Sequence, residues 1–279
     1  VNIGNNRYRL IDFWTGTYRA ATGSGALNTL PIAVAPYAVK FEKRLLVKTM
    51  FLVLFFATIQ YMFMLGTRTQ FAILLLIVIL AALQFAYSEQ GIAGVLKCIG
   101  IMAVISLIAF LLYHFNVLSI RDYILSTNLA ARYERRASLE NADSFRFQSF
   151  WIGLRELIQY PMGGRASQVY RHNMWLDVGR VSGIIPFCLL LVYSIKNFAN
   201  VTVIWKNTKI LPSLRYLLLF LYIGAYVNCF VEPIWEGALN FFLALCVVDG
   251  MVSAMVRRLK NDPIPEESVS DTSNLHTDL

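Results

Sequence analysis

Long apolar runs separated by short polar connections dominate this chain. Uncharged stretches at Thr49–Thr67, Thr69–Ser88 and Cys98–Ile120 each supply close to the ~20 residues that a helix needs to cross a bilayer. Ala20–Val39 has the length but contains Asn28, Pro31 and Pro36, and Tyr216–Val231 is short. Two further runs carry charge: Met174–Ile195 includes Asp177 and Arg180, and Gly237–Val256 includes Asp249. The pattern predicts an all-α membrane protein with about seven transmembrane helices and a large helical external loop over 121–172. From Asn261 onward the residues turn polar, with Pro263 and Pro265, which predicts a disordered tail. The chain thus divides into a membrane domain, 1–260, and a cytoplasmic tail, 261–279.

Composition agrees with this division. Only 15% of the 279 residues are charged and 57% are hydrophobic, where soluble domains run to about 25% charged. The net charge of +8 would suit nucleic acid, but the cations lie between apolar spans and form no single soluble face, so no nucleic-acid partner is expected. Cys98, Cys188, Cys229 and Cys246 fall within spans, without CxxC or Cys/His spacing, and read as small buried apolar residues. Residues 1–24 lack the basic start and apolar core of a signal peptide. The chain begins at Val1, as expected of a fragment or a misassigned start.

Alternating crossings put all eight lysines on one side, together with Arg44, Arg215, Arg257 and Arg258. That side has twelve cations against thirteen on the other, or against five once the eight arginines of the long loop are set aside. The positive-inside rule counts short loops, so it makes the lysine side cytoplasmic. Arg68, the N-terminus and the 121–172 loop are then external.

The loop holds the candidate chemistry. Arg121–Arg171 carries eight arginines and no lysine. Ser126–Leu139 reads as helix, with Arg132, Arg135 and Arg136 at one-turn spacing. Asn141-Ala-Asp143-Ser144 is a capping cluster. After it, Phe147, Phe150, Trp151, Leu154, Leu157 and Ile158 recur at helical spacing as one apolar face, which ends before Pro161. Its tryptophan suits a position in the membrane interface. Arg146 borders that face and Arg155 points away from it. Pro161-Met-Gly163-Gly164-Arg165 predicts a tight turn able to bring backbone amides to a ligand. His172-Asn173 follows at the mouth of the next span.

Arginine's planar fork binds phosphate oxygens bidentately and stays charged, so a pyrophosphate at the membrane surface is a fitting ligand. His172, with an ordinary pKa near ~6.5, can take a proton from a hydroxyl nucleophile. No metal-ligand spacing accompanies it.

Plainer readings stand beside these. A lone histidine at a helix mouth is more often structural than catalytic, and Arg146 can snorkel to lipid phosphates. Arg132, Arg135 and Arg136 read as a solvated or headgroup-facing cluster outside the site. Asp177 and Arg180, three residues apart, either neutralise each other in the bundle or mark function. Asp249 is expected near the inner end of the last span, close to Arg257-Arg258, as a structural group; His114 reads as structural too.

The order Arg146-Phe-Gln-Ser-Phe-Trp151, Pro161-Met-Gly163-Gly164, His172-Asn173, Gly183 resembles the signature of the O-antigen ligase/polymerase superfamily of bacterial membrane glycosyltransferases. Gly66-Thr67-Arg68-Thr69 before Gln70–Ala86 is similar to the family's Ser/Thr-Arg turn that opens an apolar helix. Glu232, in Val-Glu-Pro-Ile-Trp, resembles a late external acidic residue. The resemblance spans roughly residues 20–256. Pro186 departs from the ligase-type pattern, which leaves ligase against polymerase open. Family members usually have more helices, which implies that several N-terminal ones are missing here.

The resemblance implies transfer or polymerisation of a polyprenyl-pyrophosphate-linked glycan, such as O-antigen, onto an acceptor hydroxyl of a glycan or lipid core. The reaction would take place at the outer face of the bacterial inner membrane, among membrane lipids, without a metal or cofactor. Arg68 and Arg146 would neutralise the leaving pyrophosphate. His172 would position or deprotonate the acceptor, with Asn173 orienting it. Arg155 and Arg165 would be secondary anion contacts, Trp151 would touch substrate and Glu232 would bind sugar hydroxyls. Two other classes stay open: a transporter or flippase for the same glycan, and a non-catalytic assembly subunit. A transporter should line its path with polar residues at mid-membrane, and the second to fourth spans are almost free of them.

Overall fold

The computed structural model describes residues 10–11, 18–19, 21–127, 129–131 and 142–261. Apart from a two-residue antiparallel pairing of Leu10–Ile11 with Tyr18–Arg19, its regular structure is helical. The helices begin with α1 (Ala21–Leu27), α2 (Thr29–Phe41), α3 (Leu45–Leu65) and α4 (Arg68–His114). A short α5 (Ile120–Leu125) precedes α6 (Ala142–Gln159) and α7 (Met174–Ser182). The chain closes with α8 (Ile184–Lys206), α9 (Pro212–Val231), α10 (Ile234–Gly237) and α11 (Leu239–Asn261). Five of these, α3, α4, α8, α9 and α11, are long and apolar enough to cross a membrane. Over its described residues the chain is therefore helical apart from that short pairing, with the spans of a multi-pass membrane protein.

Helix α4 is longer than one bilayer crossing requires. Its 47 residues would extend ~70 Å if straight, more than twice the ~30 Å of a bilayer core. Gly91 interrupts it at φ 61°, ψ −143°, a backbone region essentially reserved for glycine. The second arm then folds back. Gly94 lies against the carbonyl of Ala86, and Tyr123, beyond the end of α4, donates to Gln60 of α3. Lys40 pairs with Glu89 at the turn. Residues 69–88 and 98–114 thus occupy separate arms; the predicted run Cys98–Ile120 outlasts the helix, which ends at His114.

Five helices meet the length and hydropathy of a span, and these alone do not establish the expected seven crossings. The predicted span Ala20–Val39 divides at Asn28 into α1 and α2, of 7 and 13 residues; Asn28 itself keeps helical dihedrals (φ −68°, ψ −11°), so only the two together have the length of a span. The predicted span Met174–Ile195 breaks at Gly183, whose φ is 93°. Asp177 and Arg180 therefore sit on the short α7, ahead of the long apolar α8. Asp249 also moves: it lies midway along the 23-residue α11 and not near its end. Among the cysteines only Cys229 is buried, while Cys188 is exposed.

Helix α9 organises the packing. On one flank its Tyr216 and Phe220 join Ile32, Met62, Ile73 and Ile77 of α2, α3 and α4. On another, Ala225 and Cys229 join Met174, Trp175, Phe241 and Leu245. Tyr222 completes a third cluster with Val201, Ile204 and Val252 of α8 and α11. Gly224 permits the close approach of α2, because a Cβ there would stand 2.6 Å from Thr29 Cγ2; small residues serve membrane helix packing this way. The outer faces of α3 and the second arm of α4 stay exposed and apolar, with Met50, Phe56, Val104, Ile105 and Phe110 on the surface. Such faces suit lipid.

Candidate functional site

Arg68, His172, Asn173 and Glu232 meet at the end of the bundle opposite the Lys40–Glu89 pair. Gly66 closes α3 in the left-handed conformation (φ 65°), and Arg68 opens α4 half-buried, behind a buried Thr67. The next residue, Thr69, donates its hydroxyl to Glu232, which follows α9 and is itself buried. One turn deeper, Gln70 donates to Asn228 at 2.5 Å, and the Asn228 amide reaches Thr29 at 2.5 Å and the Gly224 carbonyl at 3.0 Å. These polar bonds pin the Arg68 turn to α9 and α2.

His172-Asn173 meets the same end of α9. Asn173 caps α7, its Oδ1 accepting from the Leu176 amide at 3.1 Å, and its Nδ2 donates to the Phe230 carbonyl at 3.2 Å. Phe230 also lies 6.0 Å from the ring of Phe150 on α6. Contacts therefore run from Asn173 through Phe230 and Glu232 to Thr69, beside Arg68. With both ends of its amide engaged by backbone, Asn173 is first a structural cap. His172 is half-buried at φ 56°, a conformation uncommon outside glycine, and packs edge-on against Tyr170 at 4.7 Å.

The glycine turn does not have the expected role. The Gly163 amide donates to Tyr160, that of Gly164 to Val181 and that of Arg165 to Arg180, at 2.9, 2.9 and 3.1 Å. These amides close onto backbone and are not presented to a ligand. Gly163 and Gly183 face each other so closely that a Cβ on Gly163 would stand 2.5 Å from the Gly183 nitrogen. The Ile184 amide completes the joint at Pro161 (2.8 Å). The two glycine marks of the sequence are thus one packing device, which fastens the loop to the start of α8.

The arginines divide into distinct environments. Arg155 is exposed on α6. Arg165 stacks over Tyr160 at 4.2 Å and stands 3.7 Å from Glu156. Arg171 forms a fork on Glu156, with bonds of 2.7, 2.8 and 3.0 Å. Trp151 is 55% exposed, with Phe147 beside it, so only part of the predicted α6 face is covered. Arg146 belongs to the first turns of α6, but its side chain lies outside the described residues, as do Arg132, Arg135, Arg136 and the tail beyond Asn261.

Sequence reasoning passed over Glu156, Arg171 and Glu236. The signal was present: five acidic residues, Asp122, Glu134, Glu140, Asp143 and Glu156, reduce the eight arginines of the loop to a net +3.

Two aspartates, Asp177 and Asp249, are buried more deeply than the glutamates of the site. Asp177 is fully buried, and its Oδ2 has no hydrogen-bond partner among the described residues. Burial pushes its carboxyl up to about 6, aided by nearby Glu236 and against the pull of the Arg171 amide and Arg180. Asp249, 2% exposed, accepts from the Tyr222 hydroxyl and from Tyr193 at 2.8 Å. Among the described residues no group of three His, Cys, Asp or Glu side chains could hold a metal. No family model, curated protein or solved structure matches the chain.

Proposed function

We propose that this chain is a membrane glycosyltransferase acting on a polyprenyl-pyrophosphate-linked glycan, of ligase or polymerase type, at the outer face of a bacterial inner membrane. The observation that supports this reading is the convergence around the last turn of α9. The contacts Thr69–Glu232, Asn173–Phe230 and Phe150–Phe230 gather Arg68, His172 and the helix that bears Arg146 at one end of the bundle. In the proposed reaction the acceptor oxygen bonds to the anomeric carbon as the bond from that carbon to pyrophosphate breaks. The carrier pyrophosphate leaves with the electron pair, neutralised by Arg68 and Arg146, and the acceptor proton passes to His172. Arg155, exposed beside this end, can meet further phosphate oxygens. Arg165 is a weaker anion contact, because Glu156 and Tyr160 already engage it.

The test is the surface glycan ladder of cells carrying His172→Ala or Arg146→Ala. Loss of a polymerase leaves single repeats, and loss of a ligase leaves long chains on the carrier. An unchanged ladder from normally inserted variants removes the catalytic assignment.

One observation favours a second reading, a transporter for the same glycan. Asp249, Tyr222 and Tyr193 form a buried polar group at mid-span, where a translocation path would need one. In that case Asp249→Asn stops export of the lipid-linked glycan while transfer in open membranes continues.

A further inference from the structure

The loop that ends in His172 has little regular structure, and Ala166, Ser167, Gln168 and Val169 are exposed. Its shape is nevertheless fixed by two buried side chains of α7. Arg180, with only 1% of its side chain exposed, donates from Nη1 to the carbonyls of Arg165, Ala166 and Gln168 at 2.6, 3.0 and 2.8 Å. Its Nη2 reaches Glu236 of α10. Asp177 Oδ1 accepts the Arg171 amide at 2.6 Å and stands 3.7 Å from Arg180 Nε. One turn of helix thus holds main-chain groups at positions 165, 166, 168 and 171, immediately before the left-handed His172. A non-glycine residue keeps that conformation only where its surroundings hold it.

We propose that Asp177 and Arg180 are positioning residues, which hold the 165–173 loop in the shape that presents His172 to the acceptor. The functional half of this proposal rests on the glycan-transfer reading; the mechanical half does not. The groups facing Asp177 are the Arg171 amide from the loop, Arg180 from its own helix and Glu236 from α10, with the Arg171 guanidinium turned away to Glu156 of α6. Burial raises the Asp177 carboxyl to about 6. Opening the loop hydrates that carboxyl and lowers its pKa, so linkage makes the loop tighter below pH 6 and looser above it.

Hydrogen exchange of the loop, corrected for the intrinsic effect of pH, tests the mechanical half in the full chain in lipid nanodiscs. Asp177→Leu is expected to exchange about tenfold faster than wild type, the effect of one ordinary hydrogen bond, and Arg180→Ala, which removes three donors from the loop carbonyls, faster still. Asp177→Asn keeps an oxygen for the Arg171 amide and should match wild type at low pH, where the Asp177 carboxyl is protonated. It should also lack the wild-type loss of protection as pH rises through 6. Should Arg180→Ala fail to insert, Glu236→Gln on the more exposed α10 weakens the same anchor and should loosen the same loop.

Transfer per inserted molecule is expected to fall about tenfold in Arg180→Ala and Asp177→Leu and to survive in Asp177→Asn. Equal exchange in all variants, or a pH step retained by Asp177→Asn, overturns the mechanical half. Normal transfer by Arg180→Ala and Asp177→Leu, where His172→Ala abolishes transfer, overturns the positioning role alone. Normal transfer by His172→Ala removes the transferase reading instead.

Discussion

Asp177 and Asp249 are both buried carboxylates in an apolar chain, at 0% and 2% exposure, yet they are solvated by different means. Asp177, at the loop end of the bundle, meets a backbone amide and the guanidinium of Arg180. Asp249, in the middle of α11, meets the hydroxyls of Tyr193 and Tyr222. The difference follows depth. A cation at mid-membrane is costly, so neutral donors from α8 and α9 serve there. Near the loop a guanidinium can be spared, and its remaining donors shape the chain around it. One acid therefore ties helix to helix, and the other ties a loop to a helix.

Removing the cation should separate them most. Arg180→Ala leaves Asp177 buried without its counter-charge and strips three carbonyls of their donor, a loss of about 3–5 kcal/mol. It is measured as resistance to unfolding in mixed micelles. A loss no larger than that of Asp249→Ala would break the contrast, since both acids would then depend on neutral donors alone.

Protonation of Asp177 has a somewhat smaller effect. Burial holds the folded Asp177 carboxyl near 6 against an ordinary 3.8, so the folded chain keeps a proton that the unfolded chain releases. This contribution is complete below pH 3.8, declines as pH rises and is gone above 6. Its size is about 3 kcal/mol, at 1.36 kcal/mol per unit. Asp177→Asn should abolish this step in a plot of stability against pH. A step of unchanged size in that variant would assign the titration to another group.

Asp249→Ala leaves the Tyr193 and Tyr222 hydroxyls without their acceptor, at about 2–3 kcal/mol. Asp249→Asn keeps one oxygen and should recover about half of that. Because no loop depends on Asp249, hydrogen exchange at 165–173 should be unaffected by either substitution. Loosening of the loop would show that the two acids belong to one network.

How much of this was legible in advance varied with the kind of interaction. The long apolar helices follow from length and hydropathy, because a bilayer requires them. The helix α6 follows from the spacing of Phe150, Leu154 and Leu157. The break at Gly183 does not, because an apolar run continues across it and only the close approach of Gly163 explains why the helix stops. Sequence could propose that Arg68, His172 and Glu232 belong together, but not the route, which passes through Phe230 and the amide of Asn173. It also could not sort the arginines, since Arg165 and Arg171 are distinguished from Arg155 by one acid, Glu156, that reaches them from a neighbouring helix.

The smallest predicted effect tests whether α7 and its loop are mechanically part of α9. Asn173 uses its oxygen to cap α7 and its nitrogen to hold Phe230, and two substitutions separate these roles. Asn173→Asp keeps an acceptor for the Leu176 amide but loses the bond to Phe230, at about 1 kcal/mol. Asn173→Ala loses the cap as well, for about 1 kcal/mol more. If the bridge to α9 matters for the site, Asn173→Asp should lower glycan transfer while the amides of α7 stay protected from exchange. Frayed α7 amides in Asn173→Asp would instead mean that the bond to Phe230 holds the helix itself, and the cap alone would not account for where α7 begins.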